Sequence, residues 1–140
     1  MKLIDANVLL YAVNERAAHH RAARTWLDSA LSGEETVGFA WISLLAFIRI
    51  SSQPAIFPRP LSADASMAQV IDWLGQPTAV VLSPTERHAT LLAGLLATAG
   101  TAGNLVNDAH LAALALEYSA EVISFDADFS RFTGVAWRRP

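Results

Sequence analysis

Four aspartates fall where apolar segments begin or end. Asp5 closes Lys2-Leu3-Ile4, Asp108 opens a stretch rich in alanine and leucine, and Asp126 and Asp128 follow Val122-Ile123-Ser124-Phe125. Carboxylates brought together at the edge of a core repel one another and raise each other's pKa. A hard divalent cation relieves that repulsion, and aspartate oxygens are its natural ligands. The chemistry such a set can support is metal-dependent hydrolysis of a phosphate ester, with a phosphodiester as the leading substrate.

Each aspartate also has an ordinary structural use. After a strand it commonly caps the next helix, and in a first helical turn it complements the helix dipole. Other known uses of paired acids fit less well. A calcium loop starting at Asp126 would need glycine and glutamate where Arg131 and Trp137 stand. Asp5 and Asn7 resemble the opening of haloacid-type phosphatases, and Asp5 alone resembles response-regulator receivers. Both chemistries use a downstream lysine, whereas the one lysine here is Lys2. The absence of cysteine excludes disulfides, thiolate nucleophiles and Cys-based zinc sites. His19, His20, His88 and His110 lack metal-type spacing, and His110 is better placed to support the Asp108 helix than to act as a base. Trp26, Trp41, Trp73 and Trp137 could stack bases, but the surrounding pattern favours packing.

The elements that must position the acids alternate strand and helix. Leu3-Ile4-Asp5 reads as a buried strand, Asn7 to Val13 as the helix after it, and Ala17 to Leu31 as an amphipathic helix. Val37 to Ala40 is a strand and Trp41 to Ile50 a buried helix. Pro54, Pro58 and Pro60 mark a loop, and Ser62 with Asp64 starts a helix through Leu74. Ala79 to Leu82 is a third strand. Ser83, Pro84 and Glu86 read as N-cap, first helical residue and capping box. Gly100 and Gly103 precede a helix to about Tyr118, Glu121 to Phe125 is the fourth strand, and Val135-Ala136-Trp137 a weak last one. The pattern predicts an α/β fold with a mostly parallel sheet of four or five strands covered on both faces. Ligands bind beyond the carboxyl ends of such strands. Asp5 and Asp126 therefore project into one crevice, and Asp108 shares a buried helix face with Leu111, Ala112 and Ala115.

A chain of 140 residues suits a single domain, residues 1–140, with no repeat or second unit. A hydrophobic content of 53% is high for a small soluble protein. It predicts apolar surface that meets another chain, with Leu91, Leu92, Leu95, Leu96 and Trp26-Leu27 as the main contributors. The run from Val37 to Ile48 is too short to span a bilayer, so no membrane association is expected. No signal peptide is legible, and the cytoplasm is the expected location. A net charge of -3 is not that of a protein that binds nucleic acid by bulk electrostatics. RNA binding would need a local basic rim and a metal to offset the acids.

Met1-Lys2-Leu3-Ile4-Asp5-Ala6-Asn7-Val8-Leu9-Leu10-Tyr11-Ala12 resembles the opening of PIN-domain ribonucleases. Asn107-Asp108-Ala109-His110-Leu111-Ala112-Ala113-Leu114-Ala115 resembles their third acidic motif, and Ile123-Ser124-Phe125-Asp126-Ala127-Asp128-Phe129 their closing one. The resemblance covers nearly the whole chain and is strongest to the VapC-like toxins of bacterial toxin-antitoxin pairs. It implies a three-layer α/β/α sandwich and an endoribonuclease that cleaves tRNA, rRNA or mRNA and is neutralised by a cognate antitoxin. The same resemblance implies Mg²⁺, with Mn²⁺ as a substitute, held by Asp5, Asp108 and Asp126, with Asp128 joining directly or through water. Asn7 and Ser124 would orient those carboxylates. A homodimer or a hetero-oligomer with the antitoxin is expected. One motif departs. The family's usual glutamate after the second strand is here Ala46, within Trp41 to Arg49, a change shared by some members of a mycobacterial-type subgroup. That departure and the acidic charge keep open a PIN scaffold that binds RNA or antitoxin without cutting. A small metal-dependent metabolite phosphatase is the other alternative.

Overall fold

The computed structural model describes residues 1–100 and 103–140. Its strands are β1 (Lys2–Ile4), β2 (Val37–Phe39), β3 (Ala79–Val81), β4 (Glu121–Ile123) and β5 (Trp137–Arg138). Its helices are α1 (Ala6–Val13), α2 (His20–Leu31), α3 (Trp41–Ser51), α4 (Ala63–Leu74), α5 (His88–Ala99) and α6 (Val106–Glu117). The sheet runs β3-β2-β1-β4-β5, and every pairing is parallel. This is the α/β architecture that the alternating pattern predicts.

Successive strand residues point to opposite faces, which splits the core in two. Ile4, Val37, Phe39 and Ile123 face α1 to α4, where Val8, Leu9, Leu27, Phe47 and Trp73 complete one apolar cluster. Leu3 and Val122 face the other layer, with Leu95 of α5 and Leu111 and Leu114 of α6. Gly38 leaves room for this packing, and a larger residue would displace the Leu82 side chain. A Cβ there would lie 2.8 Å from the Leu82 side chain.

Three expectations need correction. The Ser83-Pro84-Glu86 segment does not start a helix. Instead α5 begins at His88 without a side-chain cap, because Thr85 donates its backbone N–H to Glu117 over 2.8 Å and its hydroxyl to the same carboxylate. α2 begins at His20 rather than Ala17, and the His20 ring is bonded to the Tyr11 carbonyl at 2.8 Å. The leucines of α5 also do not form the expected outer surface. Leu95 is buried, Leu91, Leu92 and Leu96 are half-buried against the α6 side of the core, and Leu27 is buried on the opposite face. The exposed large apolar side chains are Trp41, Leu45, Ile56, Met67, Ile71, Val80, Val81 and Val106. Among the described residues, no helix is long and apolar enough to cross a membrane.

Candidate active site

The strand order places a reversal at β1. The chain builds outward from β1 to β2 and β3 on one side, then returns to set β4 and β5 on the other. A crevice opens beyond the carboxyl ends of strands at such a switch point. Asp5 follows β1 directly, Asp126 lies three residues after β4, and Asp108 sits in the first turn of α6.

Asp5 is held from several sides. Its Oδ1 accepts from the Ala6 N–H at 2.7 Å, which makes it the cap of α1. Its Oδ2 accepts from the Asn7 amide at 2.9 Å and from the Ser124 hydroxyl at 2.6 Å. Ser124 in turn accepts from Asn7 at 3.0 Å and from the Asp126 N–H at 3.0 Å. Asn7 closes the ring by accepting from the Phe125 N–H at 3.1 Å. Behind the ring, the Trp137 indole donates to the Ser124 carbonyl at 3.1 Å and ties the loop to β5. Asp126 is likewise a cap, accepting from the Asp128 N–H at 2.8 Å. The structural uses of Asp5 and Asp126 coexist with the acidic cluster, because a cap occupies only part of a carboxylate's acceptor capacity.

The tightest convergence joins Asp108, Asp126 and Asp128. One oxygen from each lies within 4.8 Å of the others. Opposite ligands around an octahedral Mg²⁺ stand about 4.2 Å apart, so small side-chain rotations would close this trio on a cation. The all-oxygen, anionic donor set fits a hard divalent ion. Asp128 belongs to the trio, with a 3.4 Å contact to Arg131 on its outer side. Asp5 stands outside the trio but acts on it. Burial raises the Asp108 pKa from 3.8 to about 6, reinforced by the charges of Asp5, Asp126 and Asp128. Burial also raises the Asp5 pKa, with a contribution from Asp126, while the hydrogen bonds from Ser124 and Ala6 oppose the shift. Negative charge at these positions is electrostatically strained without a cation.

A cleft of about 590 Å³ opens beside the acids, lined by Asp5 and Asp108 and, along α3, by Ser43, Ala46 and Arg49. Ala46 thus lines the same cleft as Asp5 and Asp108. Arg49 is exposed and forms no ion pair among the described residues. It is a surface arginine that lines the cleft. Ser43, buried with no partner for its hydroxyl among the described residues, joins the cleft without any signal in the sequence pattern, and Asn107 joins it beside Asp108. Asp108 itself was legible, but for an incomplete reason. α6 is buried around most of its circumference at Ala109 and Leu111 to Ala115, so a buried face alone does not single Asp108 out.

His110 stands away from this chemistry. Its Nδ1 lies 2.9 Å from His88 Nε2, and His88 Nδ1 lies 2.7 Å from Glu117, so the three side chains fasten α5 to α6. Burial and the neighbouring His88 lower the His110 pKa.

The PIN-domain family model matches residues 2–135. The chain is 56% identical over 140 residues to ribonuclease VapC37 of Mycobacterium tuberculosis, covering 100% of this chain and 97% of that protein. It is 37% identical over its full length to ribonuclease VapC33 of the same organism, covering 98% of it. Among solved structures it is similar to Mycobacterium tuberculosis VapC20, described as a toxin that cleaves the sarcin-ricin loop. The TM-score is 0.73 at 18% identity, with 100% of both chains covered. It is also similar to a chain of VapBC2 from Rickettsia felis bound to a promoter DNA fragment, with a TM-score of 0.72 at 15% identity, covering 99% of this chain and 97% of that one. With its fold, its acidic crevice and these full-length relationships, the chain belongs to the PIN-domain family, in its mycobacterial VapC branch.

Proposed function

We propose that this protein is a Mg²⁺- or Mn²⁺-dependent endoribonuclease, the toxin of a toxin-antitoxin pair, acting in the cytoplasm and neutralised by a cognate antitoxin. The observation that carries the reading is the convergence of Asp108, Asp126 and Asp128 within 4.8 Å at the switch point of the sheet. Full-length relatives named as ribonucleases support RNA as the substrate, and structural neighbours solved as VapBC complexes support an antitoxin partner.

Asp108, Asp126 and Asp128 would hold the cation, with Asp5 adding charge and a further ligand position. A divalent cation there supplies charge neutralisation and a water more acidic than bulk water for in-line attack on phosphorus. Asn7 and Ser124 fix the orientation of Asp5, as groups that buttress metal-binding carboxylates do. Arg49, on the α3 wall of the cleft, would meet a phosphate oxygen. An antitoxin arginine entering the cleft would pair with the same carboxylates. Its inhibition should weaken as Mg²⁺ rises.

Ala46 provides the observation behind the rival reading, a PIN scaffold that binds without cutting. The deciding experiment incubates the purified chain with structured RNA and, separately, with a small phosphomonoester, in Mn²⁺ and in chelator. Metal-dependent RNA cleavage that Asp5→Asn abolishes supports the nuclease. Binding without cleavage supports the scaffold, and turnover of the monoester alone supports a phosphatase.

A further inference from the structure

Next to the acids, three rings from distant parts of the chain meet. The His19 imidazole lies on Phe125 with ring centroids 4.5 Å apart and planes 16° from parallel. Tyr11 closes the group, 5.3 Å from Phe125 and 5.8 Å from His19. We infer that this Tyr11–His19–Phe125 stack is a subsite for an unpaired RNA base, that of a nucleotide adjoining the phosphate held at the acids. The inference rests on the proposed RNA-cleaving function and assigns a place to the substrate's base.

Position is the first argument. Phe125 lies between Ser124 and Asp126, so its Cα is about 3.8 Å from that of a cluster acid. Its N–H is bonded to Asn7, which also holds Asp5. The stack is therefore rigidly coupled to the crevice. A phosphate seated at the acids must place its flanking bases to the side.

Exposure is the second. His19 is exposed, while Tyr11 and Phe125 are half-buried against the α1 to α4 side of the core. A residue serving only to cover Phe125 would be expected to be apolar. A polar ring lying parallel on Phe125 and open to water offers a flat surface to another ring. Single-stranded RNA is gripped by stacking its bases on aromatic side chains, histidine included.

The surroundings supply the third. The connection from α1 to α2 that carries His19 also carries Arg16. Arg16 and Arg59 line a cavity of about 250 Å³ that includes Glu15 and the apolar side chains of Val13 and Phe57. Neither arginine forms an ion pair among the described residues. Stacking rings flanked by unpaired cations are how single strands are held. Arg16 thus brings positive charge to the connection that carries His19, in a chain whose net charge is -3.

The test mixes the full-length protein, in Mg²⁺, with a hairpin RNA whose loop bases are replaced one at a time by 2-aminopurine. Stopped-flow fluorescence and cleavage are read in the same samples. The expected result is rapid quenching at one or two loop positions next to the cut. In His19→Ala and Phe125→Leu the quenching should disappear and KM should rise roughly tenfold. kcat should stay within about twofold and Mn²⁺ affinity should not change. His19→Phe should restore both signals. An abasic nucleotide at the quenched position should raise KM by a similar factor in the parent protein and add nothing in His19→Ala. If RNA is cleaved without quenching, or if both folded variants keep the parent KM, the stacking subsite is wrong. Quenching without cleavage would support the subsite and reject the nuclease reading, whereas neither signal would reject both.

Discussion

The Ser124 hydroxyl donates to Asp5 Oδ2 over 2.6 Å, a bond between residues 119 positions apart that joins the carboxyl ends of the neighbouring strands β1 and β4. Ser124 is fully buried, and its oxygen also accepts from Asn7 and from the Asp126 N–H. One hydroxyl thereby fixes the positions of two acids relative to each other. Ser124→Ala should raise the Asp5 pKa further, since this bond opposes the effect of burial. It should also leave the Asp126 N–H without its acceptor, costing about 1–3 kcal/mol of stability. NMR titration of Asp5 and chemical denaturation would check both. An unchanged Asp5 titration would mean that Asn7 and Ala6 are sufficient to hold it.

Asp108→Asn should abolish Mn²⁺ binding and any growth inhibition while leaving the fold intact. The amide removes one charge from a repelling set and one anionic ligand from the cation. In the absence of metal this variant should melt higher than the parent near neutral pH. Calorimetry showing undiminished metal binding would place the cation elsewhere.

The pH dependence follows from the same carboxyl. Asp108 is raised from 3.8 to about 6 in the folded chain, so the fold binds this proton more tightly than the unfolded chain does. Its stabilising contribution is full below about pH 4 and is lost as the pH rises through about 6. Glu117 has the opposite sign. Burial raises its pKa, but hydrogen bonds from Thr85 and His88 outweigh that and leave it below the ordinary value, so its contribution is lost on acidification. Melting the parent and Asp108→Asn in chelator from pH 4 to 8 isolates the first effect, with the gap between them widening in favour of the variant through about pH 6. Mn²⁺ affinity of the parent should rise across the same interval, because metal and proton compete for Asp108.

Ala46 lines the cleft together with Asp5 and Asp108. Ala46→Glu should tighten Mn²⁺ binding by supplying charge and ligand, and should lower the metal-free melting temperature by adding repulsion. Titration calorimetry paired with melts in chelator reads both effects. Unchanged affinity in a folded variant would mean that the new carboxylate does not reach the cation.

The sequence by itself determined the α/β architecture, the three acidic segments and the family. Apolar runs of two to five residues separated by helical spacing leave few topologies, and aspartates at their ends serve as helix caps or cation ligands, two uses that do not exclude each other. Tertiary structure decided how the acids divide. Asp5 follows a strand just as Asp126 follows β4, but burial against Asn7 and Ser124 turns it into a braced neighbour. Asp128, raised on the turn capped by Asp126, joins Asp108 instead. The start of α5 was legible only as a capping box, since nothing local indicates that Glu117 will reach Thr85 from 32 residues away. The Tyr11, His19 and Phe125 stack was not legible at all. Each ring reads alone as packing or loop, and their meeting depends on parallel pairing that brings the ends of β1 and β4 side by side. Local patterns report which face an element buries, whereas the distances between side chains are fixed by long-range strand register.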